Sequence, residues 1–260
     1  MIKLIVSDID GTLLEDGTNA VNPELFEVIL KLREKGIQFA AASGRQWASI
    51  ESVFEPIKEK IFYLSDNGAY VGCHGRSLFV NGMERSLAME LIEDIRSDGM
   101  VPMLCTPDFI YLEEQDVELY EWMKNGYQYN IKRLANLHDA ENVFTKVSAY
   151  RVHDIESVSA HLWEKYHNRT KMAYAGDMWL DFMAPGVNKG QAVKLLQESL
   201  QIKPEESMAF GDQMNDMEML KQVYYSFAIG NARPEVKETA RFQADINTSD
   251  GVLKILKLLL

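Results

Sequence analysis

Apolar residues fall along this chain in short bursts whose period changes in a regular order. Leu4, Ile5 and Val6 form a continuous run, as expected of a fully buried strand. From Pro23 to Glu34, Leu25, Val28, Ile29 and Leu32 share one helical stripe, and Gly36 supplies a stop. Ile37 to Ala41 is again strand-like, Trp47 to Phe54 helical, and Ile61 to Leu64 a third short strand. Strands alternating with helices at this spacing predict βαβ units and a parallel sheet.

The rhythm changes near Asn81–Gly82. A helix is expected from Ser86 to about Asp98, then strands over Val101 to Cys105 and Phe109 to Glu113, joined by a turn at Pro107–Asp108. A strand over Phe144 to Arg151 and a helix from Ile155 to His167 follow. The strand pair Lys171 to Ala175 and Trp179 to Met183 turns at Gly176–Asp177. This block reads as an α+β module with hairpins. After Pro185–Gly186 the first rhythm returns, with helices over Lys189 to Leu200, Asp216 to Gln222, Pro234 to Ala240 and Val252 to Leu259. Strands are expected over Ser207 to Phe210 and Phe227 to Ile229. The economical architecture is α/β: a Rossmann-like, doubly wound parallel sheet built from residues 1–82 and 186–260, with an α+β domain, 83–185, inserted into it.

Composition narrows the function classes. A chain of 260 residues with 47% hydrophobic and 25% charged residues can bury a sizeable core. Its formal net charge of -12 opposes nucleic-acid binding, which needs a basic footprint. No apolar stretch is long enough to span a membrane, and the chain starts directly in a strand-like segment, so cytoplasmic residence is the expectation. Cys73 and Cys105 are too few for a disulfide framework and read as buried thiols. Monomer and homodimer both remain open.

The chemistry lies just after the strand-like runs. Asp8 and Asp10 follow the first, Ser43 the second, Asn67 the third, and Asp212 the run ending at Phe210. Open parallel sheets bind ligands beyond the carboxyl ends of their strands, so the fold would gather these residues at one edge. Asp8 would face a ligand and Asp10 reach a leaving-group oxygen. Gly11 allows a close turn, and Thr12 can donate a hydroxyl hydrogen bond. Carboxylates packed without a cation would rise in pKa and stay protonated, so the cluster implies a metal; magnesium suits Asp8 and Asp212. The bland alternative makes Asp10–Gly11 a turn and Asp212 a helix cap. Lys189 opens a helix against the dipole preference, which a phosphate or carboxylate partner would explain. Ser43 can donate to a phosphoryl oxygen, and Arg45 either touches substrate or braces its loop. Phosphoryl transfer is the leading reading.

These segments resemble the haloacid-dehalogenase-like hydrolase superfamily, within it the Cof-like sugar phosphatases with a large α/β cap. The resemblance rests on Asp8-Ile9-Asp10-Gly11-Thr12-Leu13, Ser43-Gly44-Arg45, Asn188-Lys189-Gly190 and Gly211-Asp212-Gln213-Met214-Asn215-Asp216, four motifs in order. Ala228-Ile229-Gly230-Asn231-Ala232 and Asp250-Gly251-Val252 extend it. It implies an aspartyl-phosphate on Asp8, with Asp10 as acid/base and Ser43 and Lys189 holding the transferring group. It also implies magnesium on Asp8, Asp212 and the Asp10 main-chain carbonyl. Thr12, Gly44, Arg45, Asn67 and Asn215 are placed as substrate-binding candidates and Asp216 as a neighbour orienting the site. The implied substrate is a small phosphate monoester such as a sugar phosphate, pyridoxal phosphate or flavin mononucleotide, with the inserted block closing over it. Rival readings are a phosphomutase or other phosphotransferase of the same fold, and a non-catalytic phosphate sensor. Aromatics crowd the inserted block, among them Trp122, Trp163, Trp179 and Tyr127, and core packing is the expected fate of most. His138, His153, His161 and His167 lack ligand spacing and read as non-catalytic.

Overall fold

A computed structural model describes residues 1–15, 18, 21–126, 129–175 and 177–260. Tyr127 and the Gly176 half of the expected Gly176–Asp177 turn lie outside the described residues. The first stretch runs β1 (Leu4–Asp8), α1 (Pro23–Glu34), β2 (Gln38–Ala42), α2 (Trp47–Val53), β3 (Phe62–Ser65), β4 (Tyr70–Cys73) and β5 (Arg76–Val80). The middle runs α3 (Arg85–Ser97), β6 (Val101–Cys105), β7 (Ile110–Glu113), α4 (Val117–Gly126), β8 (Ile131–Leu134), β9 (Lys146–Tyr150), α5 (Ile155–Val158), α6 (Ala160–Tyr166), β10 (Lys171–Ala175) and β11 (Trp179–Met183). The last runs α7 (Lys189–Leu200), β12 (Ser207–Gly211), α8 (Met217–Gln222), β13 (Tyr225–Ala228), α9 (Pro234–Thr239), β14 (Phe242–Gln243) and α10 (Gly251–Lys257). The chain divides into two compact units, 1–45 with 50–79 and 188–260, and 46–49 with 80–187. None of the described helices is long and apolar enough to cross a membrane.

The first unit is an eight-stranded sheet in the order β14-β13-β12-β1-β2-β3-β4-β5. The pairs from β14 through β3 are parallel, and β4 returns antiparallel to β3. This is the parallel α/β core expected from the alternating apolar runs. Alternate strand residues Leu4, Val6, Ala40, Ala42, Leu64 and Ala209 pack with Val193 and Leu196 of α7 and Met219 and Leu220 of α8. The α1 stripe Leu25, Val28, Ile29 and Leu32 is buried, as its periodicity requires.

The second unit is a six-stranded sheet in the order β10-β11-β9-β6-β7-β8, antiparallel except for β7 with β8. Leu91, Ile92 and Ile95 of α3, Ile155 of α5, and Leu162 and Tyr166 of α6 build one core on it. Leu119 and Met123 of α4 build another with Met103 and Leu112. The aromatics pack within the unit: Trp122 stacks on Trp179 at 6.1 Å between centroids, and Trp163 on Tyr174 at 5.3 Å. Elements not anticipated are β4, β5, α4, β8 and β14. The single helix expected from Ile155 to His167 is interrupted at Ser159, whose Oγ donates to the Ile155 carbonyl at 2.6 Å. Such a bond back to the preceding turn competes with regular helix geometry.

Candidate active site

Asp8 is the last residue of β1, and Asp212 immediately follows β12, its parallel neighbour. Strands β2 and β3 lie to one side of β1 and β12 to β14 to the other, which makes this a topological switch point. Ser43 follows β2 and Asn67 follows β3, so four strand ends deliver polar groups to the same edge.

Lys189 organises the interior of the site. It is 1% exposed, and its Nζ donates to Asp8 Oδ1 at 2.5 Å and to Asp216 Oδ1 at 2.6 Å. The Asn188 side chain caps α7 by accepting from the Gln191 N–H, which fixes where the helix starts and hence where Lys189 stands. Asp216 Oδ2 accepts from the Asp212 and Gln213 backbone N–H groups, both at 3.0 Å, tightening the turn that carries Asp212. Asp212 accepts from Thr12 Oγ1 at 2.6 Å and from Gln213 Nε2 at 3.2 Å. One carboxylate oxygen each from Asp8, Asp212 and Asp216 lie within 4.8 Å of one another, a buried set of hard oxygen donors able to hold a divalent cation.

Gly11 shows why this turn needs glycine. Its φ is +78°, and a Cβ there would stand 2.4 Å from Asp212 Oδ2. Its carbonyl accepts from Asn231 Nδ2 at 2.7 Å. Asp10, one-third exposed, lies outside the buried set and is gripped by Arg45, whose Nε and Nη2 donate to its two carboxylate oxygens at 2.8 and 2.5 Å. Arg45 also donates to the Thr18 carbonyl, so in this structure it braces the loop. Ser43 is buried, and its Oγ accepts from the Arg45 N–H at 3.1 Å; among the described residues its hydroxyl proton has no acceptor. Asn215 Nδ2 donates to Asn67 Oδ1 at 2.9 Å, and the Asn67 carboxamide lies against Gly44. Asn231, Gln213, Asp66 and Gly68 hold the site without having been assigned roles from the sequence, whereas Asn67 between the last two was a substrate-binding candidate. The turn tripeptide Asp-Asn-Gly directly after an apolar run was the readable signal.

Burial pushes the Asp8 carboxyl well above its ordinary range; Asp216, Asp212 and Asp10 add to the rise, while Lys189 opposes it. Burial likewise raises Asp212, to about 6, against the Thr12 hydrogen bond. For Lys189 burial works downward, but Asp216 and Asp8 outweigh it, and the ammonium titrates above its usual value. Lys189 is therefore the secure cation, and the acidic groups around it lack positive charge.

A family profile described as haloacid dehalogenase-like hydrolase matches residues 5–256. A 5-amino-6-(5-phospho-D-ribitylamino)uracil phosphatase of Escherichia coli is 27% identical over 98% of this chain and 95% of its own length. An enzyme of the same name from Bacillus subtilis is 25% identical over 98% of this chain and 95% of its own length. A crystal structure from Eubacterium rectale superposes with a TM-score of 0.91 at 31% identity, covering 100% of this chain and 99% of that one. With nearly its whole length inside the matched region, the chain belongs to the haloacid dehalogenase-like hydrolases.

Proposed function

We propose that this phosphatase hydrolyses small phosphate monoesters with the help of magnesium, through a phosphoryl group carried on Asp8. The observation that carries the reading is the buried cluster of Asp8, Asp212 and Asp216, within which a single ammonium, Lys189, pairs with Asp8 and Asp216. A structural ion pair needs one carboxylate per cation; three buried carboxylates are costly unless a further cation joins them. The donor set fits magnesium, with Asp8, Asp212 and the Asp10 main-chain carbonyl as protein ligands and Asp216 behind them. When bound, the metal would neutralise charge on the phosphoryl oxygens and orient the ester.

In the first step an Asp8 carboxylate oxygen attacks phosphorus as the bond to the ester oxygen breaks. Asp10 serves as the acid of this step, giving a proton to that oxygen as the alcohol leaves. In the second step Asp10, now a carboxylate, takes a proton from water as the water oxygen attacks phosphorus. The bond to Asp8 breaks, leaving inorganic phosphate and a free carboxylate. Lys189 and the unused Ser43 hydroxyl proton meet charge on the equatorial oxygens, where phosphoryl transfer most needs it. Thr12 and Gly11 set the Asp212 carboxylate in place. Gly44 leaves room over the Ser43 loop, and Arg45 holds Asp10 ready for its part.

Two relatives named for a phosphoribitylamino-uracil support a small, polyol-bearing leaving group. Sugar phosphates, pyridoxal phosphate and flavin mononucleotide are the further classes to compare. Purified protein is assayed against such a panel, with and without magnesium, by release of inorganic phosphate. Release that needs magnesium and disappears in Asp8→Asn is expected; wild-type turnover in Asp8→Asn would remove Asp8 as the nucleophile.

A further inference from the structure

Two late motifs, Ala228-Ile229-Gly230-Asn231-Ala232 and Asp250-Gly251-Val252, take no part in the chemistry above. The fold presses their segments together. The Ala244 N–H donates to the Ala228 carbonyl at 2.9 Å and the Gly230 N–H to the Asp245 carbonyl at 3.4 Å. A Cβ on Gly230 would stand 2.9 Å from the Ile246 backbone nitrogen, and one on Gly251 would collide with the Asp245 carbonyl oxygen. Both glycines thus mark places where one backbone touches another.

Each segment carries an asparagine, and both asparagines donate to a single turn. That turn follows the end of β1 and is closed by the Gly11 N–H donating to the Leu14 carbonyl at 2.9 Å. Asn231 Nδ2 donates to the Gly11 carbonyl at 2.7 Å, and Asn247 Nδ2 to the Leu14 carbonyl at 2.9 Å. The two amides are oriented by further bonds. The Asn247 N–H donates to Asn231 Oδ1 at 3.2 Å, and the Thr248 N–H to Asn247 Oδ1 at 2.9 Å, so each Nδ2 is left to face the turn. The same loop reaches the other acidic strand end, because the Arg233 N–H donates to the Asp212 carbonyl at 3.0 Å. Thr12 Oγ1 closes the ring by donating to Asp212 Oδ1 at 2.6 Å. Residues 231–233 therefore tie Gly11 on one side to Asp212 on the other.

We propose that Asn231 and Asn247 form a clamp of positioning residues that fixes the turn after Asp10 against Asp212. The assignment rests on the metal site of the phosphatase reading and deepens it. The Asp10 main-chain carbonyl and the Asp212 carboxylate are its two ligands on either side of the clamp. Magnesium demands near-ideal octahedral geometry, so a turn that shifts relative to Asp212 weakens binding although no ligand is lost.

The test separates positioning from bulk stability. Asn247→Asp keeps the acceptor for the Thr248 N–H but sets a carboxylate oxygen against the Leu14 carbonyl. Asn231→Asp does the same at the Gly11 carbonyl and keeps the acceptor for the Asn247 N–H. Each adds a negative charge, which alone would draw magnesium in, so weaker binding cannot come from the charge. Magnesium is titrated calorimetrically into the full-length protein well below its melting temperature, and metal-free melting is recorded alongside. Each variant is expected to bind magnesium roughly 3- to 10-fold more weakly, the range for one neutral hydrogen bond. The double variant is expected to lose little more than the weaker single one, because either change releases the same turn. Wild-type affinity in both single variants, with or without a lower melting temperature, overturns the proposal. Losses that add in full overturn the shared clamp. Magnesium binding without turnover of any ester would fault the hydrolase reading and leave the clamp standing; no magnesium binding by the wild type would overturn both.

Discussion

Replacing Lys189 by methionine removes one charge from the most buried part of the site while keeping most of the side-chain volume. The lysine is 1% exposed and serves two carboxylates, Asp8 at 2.5 Å and Asp216 at 2.6 Å. Removing one partner of a buried ion pair costs about 3–5 kcal/mol, because the other charge is left unpaired. For a protein of this size that corresponds to a melting temperature lower by roughly 6–20 °C. The loss is expected to depend on pH in a defined direction. Lys189 in the wild type titrates above its usual value, so its contribution is fully present at any pH below the ordinary lysine range. In Lys189→Met, Asp8 loses the one group that opposed its upward shift. The folded variant then binds a proton more tightly than the unfolded chain, so its stability recovers as pH falls. Urea unfolding in metal-free buffer at pH 8 and pH 5.5 reads this directly. A deficit of at least 3 kcal/mol at pH 8, shrinking by half or more at pH 5.5, is expected on the same scale. An equal deficit at both pH values, or one below about 1 kcal/mol at pH 8, would refute the reasoning that Asp8 and Asp216 depend on this one ammonium.

Other outcomes follow from neighbouring geometry. Gly11→Ala puts a Cβ 2.4 Å from Asp212 Oδ2 at a φ of +78°. Beyond the left-handed penalty of about 1–2 kcal/mol, it is expected to push Asp212 aside and weaken magnesium binding about tenfold or more by calorimetry. Unchanged affinity would show that Asp212 is not held by this contact. Asp212, raised to about 6, binds its proton more tightly folded than unfolded. Metal-free stability is therefore expected to fall, by on the order of 3 kcal/mol, as pH rises from about 4 to 6. Magnesium competes with that proton, so its stabilising shift in thermal melts is expected to grow from pH 5 to pH 7; a constant shift would count against Asp212 as a ligand.

Elements with a clear apolar period were readable, and those whose period was broken by glycine, charge or exposure were missed. The helix over Lys189–Leu200 was anticipated because Val193 and Leu196 lie on its buried stripe, and in the structure the Asn188 cap fixes its start. Strand β5, Arg76–Val80, is exposed at Arg76 through Phe79 and so offers no alternation to detect. Gly72 and Cys73 weaken the strand signal of β4, and charged Lys132 and Arg133 that of β8. The break at Ser159 was invisible because a hydroxyl bonding back to Ile155 interrupts the helix without disturbing the apolar spacing.

The sequence by itself determined the parallel α/β core and the list of polar groups at its strand ends, because both depend on local spacing: apolar runs of fixed period, each followed by a short polar motif. Only the tertiary structure decided who partners whom. Lys189 reaches Asp8 across 181 positions, Thr12 reaches Asp212 across 200, and Asn215 reaches Asn67 across 148. Whether Arg45 faces a ligand or Asp10 is also set by packing, and here it takes Asp10 in both nitrogens. Such pairings arise where strands far apart in sequence end side by side in the sheet, and the geometry of that edge, not the identity of any one residue, selects the partner.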